Sequence, residues 1–206
     1  MDFFYKNIKN KFSLILVALF FLLSGCAGEN LREDSSYYDV LDENTETLKI
    51  YSGVELVLHL SATLKSKSFR AAYAREYSKR FKLDSAKTDV MKVDNSEALK
   101  EYVEFFFSAH TPDPKWNDFE EKDSIWKLYL SDSTKGRVIP FEIKKLEEDS
   151  PALKEFFPYI DAWSKVYSIK FPLYHETGEV VLSENLPLKL TIAGVKGEGE
   201  LLFEMY

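Results

Sequence analysis

"YVEFFFSAH", residues 102–110, is apolar on both of its alternating phases, with Val103, Phe105, Phe107 and Ala109 on one and Tyr102 and Phe106 on the other. Successive side chains of a strand point to opposite faces, so this pattern predicts a strand buried on both faces.

Upstream, "VELVLHLSATL" (54–64) alternates Leu56, Leu58, Leu60, Ala62 and Leu64 with Glu55, His59, Ser61 and Thr63. Period two over that length predicts a strand with one wet face. The next run, "SKSFRAAYAREYSKRF" (66–81), changes period. Phe69, Tyr73, Tyr77 and Phe81 recur every four residues with Ala72 between them, which predicts an amphipathic helix over about 66–82. A weaker helical piece follows over 84–93.

Downstream, "SIWKLYLSD" (124–132) reads as a strand and Asp132–Gly136 as a turn. "VIPFEIKKL" (138–146) places Ile139, Phe141 and Ile143 on one side. "DSPALKEFFP" (149–158) predicts a short helix, with Ser150 as N-cap, Pro151 in the first helical position and Pro158 forcing an end. "WSKVYSIKF" puts Trp163, Tyr167, Ile169 and Phe171 on one phase. "PLKLTIAGV" and "GEGELLFEM" are two further strands, with Lys196-Gly197 as the hairpin turn between them. Short strands separated by turn residues predict an α+β fold. Its antiparallel sheet forms a sandwich or strongly curved sheet in the C-terminal two thirds, with the 66–82 helix packed at one edge.

The amino terminus has a different character. Lys6, Lys9 and Lys11 precede the run Phe12–Leu23, which holds no charge. A basic segment before a short apolar one reads as a secretory signal, since a bilayer span needs about 20 apolar residues. The run ends at Leu23-Ser24-Gly25-Cys26, and Cys26 is the chain's only cysteine. That tetrapeptide resembles the lipobox of bacterial lipoproteins. The resemblance implies cleavage of residues 1–25, a diacylglyceryl group on the Cys26 thiol and attachment to a membrane. With Ala27 rather than Asp after the cysteine, it also implies the outer membrane in a cell that has two, and otherwise the outer face of the cell membrane. An exported chain with one cysteine forms no internal disulfide, and lipidation removes an otherwise reactive thiol. Residues 26–47, which carry seven acidic residues against Arg32, read as a flexible acidic tether, leaving 48–206 as a single globular domain.

Removing residues 1–25 takes three lysines and Asp2 from 27 basic and 34 acidic residues, leaving 24 against 33 and a net charge of −9. That balance opposes nucleic acid as a partner, which calls for a basic footprint. No Gly-x-Ser-x-Gly elbow is present, and His175-Glu176-Thr177-Gly178-Glu179 lacks the second histidine of a zinc-protease helix. His59, His110 and His175 are widely spaced, so neither a metal nor another cofactor is expected. The acidic clusters Glu120, Glu121, Asp123 and Glu147, Glu148, Asp149 lie in polar connections. A carboxylate pair there would suit an envelope hydrolase; solvated loops are the plainer reading. No catalytic residue is assigned.

Two stretches are candidate binding surfaces. In "TPDPKWNDF" (111–119), two prolines stiffen a loop carrying Trp116, Asn117 and Asp118, materials for ligand recognition or for plugging the end of a sandwich. Seven cations fall between Lys65 and Lys82, opposed only by Glu76. With the aromatic stripe inward, Arg70, Arg75, Lys79 and Arg80 are expected to point outward, as a solvated face or as a docking surface for an anionic partner. The function this supports is a membrane-anchored binding or scaffolding module. Cys26→Ala should abolish lipid attachment; radiolabelled fatty acid fed to cells checks this, and equal label in variant and parent would contradict it.

Overall fold

In the computed structural model, which describes residues 35–133, 136–147, 150–174, 182 and 187–204, the doubly apolar stretch is the middle strand of a five-stranded sheet. The elements run α1 (Ser35–Glu43), β1 (Thr45–Ser52), β2 (Glu55–Leu64), α2 (Lys67–Phe81), α3 (Ser85–Glu101), β3 (Tyr102–His110), β4 (Trp126–Ser131), β5 (Glu142–Lys145), α4 (Pro151–Phe156), β6 (Lys165–Pro172), β7 (Leu188–Gly194) and β8 (Gly197–Phe203). One sheet has the order β1-β2-β3-β6-β5 and the other β4-β7-β8, all neighbours antiparallel. The fold is α+β and sheet-rich, as the sequence predicts.

Both faces of β3 are covered, by different partners. Val103, Phe105, Phe107 and Ala109 enter the core between the two sheets, with Tyr167 and Ile169 of β6, Leu190 and Ile192 of β7 and Phe203 of β8. Phe105 and Phe203 bring their ring centroids to 5.0 Å across that core. On the opposite face Phe106 stacks on Phe157 at 4.0 Å. It joins a second core with Tyr37 and Leu41 of α1, Phe69 and Ala72 of α2, and Phe156 of α4. Helix α2 therefore lies over the outer face of the larger sheet rather than only along its rim. Its start is set by Ser66, whose Oγ accepts the Phe69 amide at 3.1 Å. It ends at Lys82 in the left-handed region, φ 50°. Ser150 caps α4 as predicted, its Oγ accepting from the Leu153 amide.

Several expectations are corrected. The acidic tether does not extend through residue 47. Ser35–Glu43 is helical and β1 opens at Thr45, so the folded part already includes residues assigned to the tether. The reason lies in Tyr37 and Leu41, one helical turn apart and each 1% exposed, which the acidic composition around them hides. Tyr37 also donates its hydroxyl to Phe156 O at 2.8 Å. The wet face assigned to β2 is only partly wet. Thr63 and Ser61 are buried: Tyr159 covers Thr63, its hydroxyl 2.7 Å from Thr63 Oγ1, and Ser61 Oγ lies 3.0 Å from Thr47 Oγ1 on β1. The weak helix of 84–93 runs on to Glu101. Ile139 and Phe141 are exposed beside a four-residue edge strand, and Trp163 stands in the turn before β6. The last hairpin turns at Val195-Lys196, one residue earlier than expected. Among the described residues no helix is long and apolar enough to cross a membrane.

The small sheet approaches its neighbours closely at glycine. A Cβ on Gly194 would stand 2.5 Å from Trp126 Cε3 and 2.7 Å from the Ile125 carbonyl oxygen. Gly194→Ala should therefore destabilise the chain by about 1–3 kcal/mol through overpacking. Gly136→Ala, which meets nothing within 4 Å, should leave stability unchanged. Urea unfolding of the two variants beside the parent checks the pair.

Candidate functional site

Glu104 stands on β3 between Val103 and Phe105, and its side chain shares the outer face with Phe106 and Ser108. A carboxylate there is 7% exposed and must be paired, because an unpaired buried charge is costly. Three groups meet it. Lys65 Nζ, just past the end of β2, donates to Oε1 at 2.6 Å. Arg70 Nη2, in the first turns of α2, donates to Oε2 at 2.8 Å. Ser168 Oγ of β6 donates to Oε1 at 2.8 Å. Burial by itself would raise the Glu104 pKa; Lys65, Arg70 and the Ser168 hydroxyl outweigh it and hold the carboxyl below its ordinary value. Arg70 is fixed further by donating Nε to Lys65 O at 2.9 Å and Nη1 to Asn95 Oδ1 of α3 at 3.2 Å.

This cluster forms one wall of a cleft of about 640 Å³, a volume typical of small-molecule sites. The cleft opens between the N-terminal turns of α2 and the second half of α3. Its floor is the end of β2, the start of β3 and Leu173. Lys92, Asn95, Ser96, Leu99 and Lys100 line it from α3, and their spacing places them on one helical face. Helix α3 has no buried residue. Beyond its Asp84 cap it is held by the Arg70–Asn95 bond and by Thr88 Oγ1 donating to Ser78 Oγ at 3.0 Å. The cleft is cationic: Lys65, Lys67, Arg70, Lys92 and Lys100 line it with Glu104 as the acidic residue of the lining, and Lys92 is paired to Asp89 beside it at 3.1 Å. Lys67 and Lys100 are exposed and have no ion-pair partner among the described residues.

The four cations singled out in the sequence do not form one outward surface. Arg70 is buried and turned to Glu104, because the carboxylate of β3 lies within reach of the first turns of α2. Arg80 is a clasp: Nε donates to Glu76 Oε1, Nη2 to the Tyr38 hydroxyl at 3.0 Å and Nη1 to Glu155 at 3.3 Å, tying α1 and α4 to α2. Arg75 and Lys79 are exposed.

The 111–119 loop is fastened to its own chain. Asn117 is 2% exposed; its Nδ2 donates to Ala109 O at 2.7 Å, and its Oδ1 accepts from the Tyr167 hydroxyl at 3.0 Å. Asp118 Oδ1 accepts from Ser124 Oγ at 2.8 Å, and Trp116 O from Trp126 Nε1 at 2.9 Å. The Asn117 side chain closes the end of the sandwich and is fully engaged, whereas the Trp116 ring is half-buried with Lys196 Nζ 4.3 Å from its centroid. His59 and His110 are register partners across β2 and β3, yet among the described residues no group of His, Cys, Asp and Glu is arranged to hold a metal. His175, Cys26, Glu148 and Asp149 lie outside the described residues.

Glu104 and the cleft are absent from the sequence reading. The signal for them is present: a carboxylate inside a strand apolar on both phases requires a buried cation, and Lys65 and Arg70 lie in the segment predicted to pair and pack with it.

No family model matches the chain, and no curated protein matches it. Among solved structures it is similar to a protein of unknown function from Burkholderia pseudomallei K96243, at 10% identity and a TM-score of 0.43 over 82% of this chain and 81% of that one. Nothing is carried over from a likeness at that level.

Glu104→Gln should leave the buried Arg70 and the half-buried Lys65 without a counter-charge and cost about 3–5 kcal/mol. Urea unfolding near neutral pH checks it, against Glu155→Gln as an exposed control.

Proposed function

We propose that the protein is an exported, lipid-anchored envelope lipoprotein that binds an anionic ligand in the cleft between α2 and α3 without transforming it. The anchor rests on Leu23-Ser24-Gly25-Cys26 and the basic and apolar segments before it. With Ala27 following, the outer membrane is its place in a cell with two membranes, and the outer face of the cell membrane otherwise.

The observation that carries the binding reading is the cleft's charge: of the five cations lining it, Lys65 and Arg70 share Glu104 and Lys92 pairs with Asp89, while Lys67 and Lys100 have no ion-pair partner among the described residues, on a chain that is acidic overall. Cations gathered in a concave, partly desolvated site attract an anion far more strongly than the same charges dispersed in water. The one carboxylate in the cleft argues for binding over hydrolysis. A general acid works with a raised pKa, whereas Glu104 is held ionised with both oxygens already bonded. Lys67 and Lys100 at the mouth are the residues expected to meet the ligand's charge, while Lys65 and Arg70 set the field behind them.

The test is calorimetric titration of the full-length chain, in nanodiscs of zwitterionic lipid, with citrate and with inorganic phosphate, blanked against empty nanodiscs. Saturable binding that weakens with added salt and is lost in the Lys67→Glu/Lys100→Glu double variant is the expected result. Absence of binding by either anion would overturn the reading.

A further inference from the structure

The cleft is cationic, but its walls are not all polar. Leu64, Val103 and Leu173, whose side chains belong to the core between the sheets, reach its floor only by their edges, at 2%, 7% and 4% exposure; Leu99 of α3 and the Tyr102 ring, both half-buried, give it more accessible apolar surface. The three cations of α2 and α3 that no buried carboxylate holds, Lys67, Lys92 and Lys100, are all exposed and so stand at its mouth. The depth of the cleft thus holds aliphatic groups beside the equally buried Arg70–Glu104 pair, and its rim holds exposed cations. Helix α3 carries this division along one face. Leu99 is half-buried, while Lys92 and Lys100 flank it, two turns before and one residue after. A site for a bare inorganic anion would have no use for that floor, since a small, fully hydrated ion gains nothing from aliphatic walls.

From these two zones, and resting on the anion-binding reading above, we propose that the ligand is a small organic anion with an apolar body. Its charged head sits at Lys67 and Lys100, and its hydrocarbon lies against Leu99 and the Tyr102 ring, above the edges of Leu64, Val103 and Leu173. The volume of about 640 Å³ accommodates a medium-length acyl chain or a single aromatic body with room for its head. The head is a carboxylate or a phosphate; both are acceptors that lysine ammonium groups recognise as point charges. The Glu104 cluster also has a part in this. It keeps Lys65 and Arg70 occupied, so the cations left for the head are those of the rim, and the head stays at the mouth while the body points inward.

The experiment compares four probes on the full chain in zwitterionic nanodiscs, by the same titration: octanoate, octyl phosphate, octanol and citrate. Burying several methylenes should make octanoate or octyl phosphate bind at least about tenfold more tightly than citrate. Octanol, which lacks the charge, should bind at least about tenfold more weakly than the better of the two. The ratio of octanoate to octyl phosphate identifies the head group. Leu99→Ser, which removes a half-buried aliphatic group from the cleft lining, should lower the ratio of octyl-anion to citrate affinity by about tenfold, a ratio that a mere loss of folded protein would leave unchanged. If citrate binds and neither octyl anion binds more tightly, the amphiphilic ligand is overturned and simple anion binding stands. If octanol matches the octyl anions, the charged head is overturned. If no probe binds, both readings fall together.

Discussion

A carboxylate held near the start of a strand with two covered faces is the constraint from which the rest of this architecture follows. Glu104 cannot be solvated where β3 places it, so the chain must bring cations to it, and the two that arrive fix what surrounds the strand. Lys65 comes from the turn that ends β2, and Arg70 from the first turns of α2. Satisfying Glu104 thus sets how the chain leaves the sheet and where the helix begins. Buried pairs of this kind contribute little net stability against a well-packed apolar alternative, while breaking one is expensive. The cluster's value lies in specifying one arrangement of α2 on the sheet and in charging the wall of the cleft beside it.

The outer layer divides into two unequal parts. Helices α1, α2 and α4 share an aromatic core in which Tyr37, Tyr73 and Phe156 lie within 4.9–6.4 Å of one another, and Arg80 ties the three helices at the rim. Helix α3 has none of this. Its face toward the sheet meets a cavity rather than packed side chains, and the polar bond from Arg70 to Asn95 links it to the buried ion cluster. Packing of an apolar face is what stabilises most helices in proteins. A 17-residue helix with half-buried residues at most is expected to be less stable locally than the packed helices beside it, the property of an element beside a ligand site.

Much of the fold was legible because its signals are local. The period-two runs and the four-residue aromatic repeat of α2 correspond to elements that exist, and Ser150, Pro151 and Pro158 mark the ends of α4. What failed depended on contacts distant in sequence. The acidic segment around Tyr37 and Leu41 reads as tether until Phe156, more than 100 residues later, gives those two side chains a core. Thr63 reads as wet until Tyr159 covers it. Arg70 reads as a surface cation because helical periodicity says which side faces the core, not that the core holds a carboxylate. Asn117 and Asp118 have the chemistry of a binding loop, and only the positions of Ala109, Ser124 and Tyr167 reveal that the loop's polar groups are bonded internally.

The central claim is that Glu104 is a structural ion, permanently charged, beside a cleft that binds rather than catalyses. A side-chain carboxyl ¹³C NMR titration of the protein, with Glu104 assigned by comparison with the Glu104→Gln variant, measures this directly. The account predicts a Glu104 midpoint below the ordinary glutamate value of about 4.3. A midpoint raised toward neutrality would mean a carboxyl that exchanges its proton under working conditions, and would contradict the account at its root.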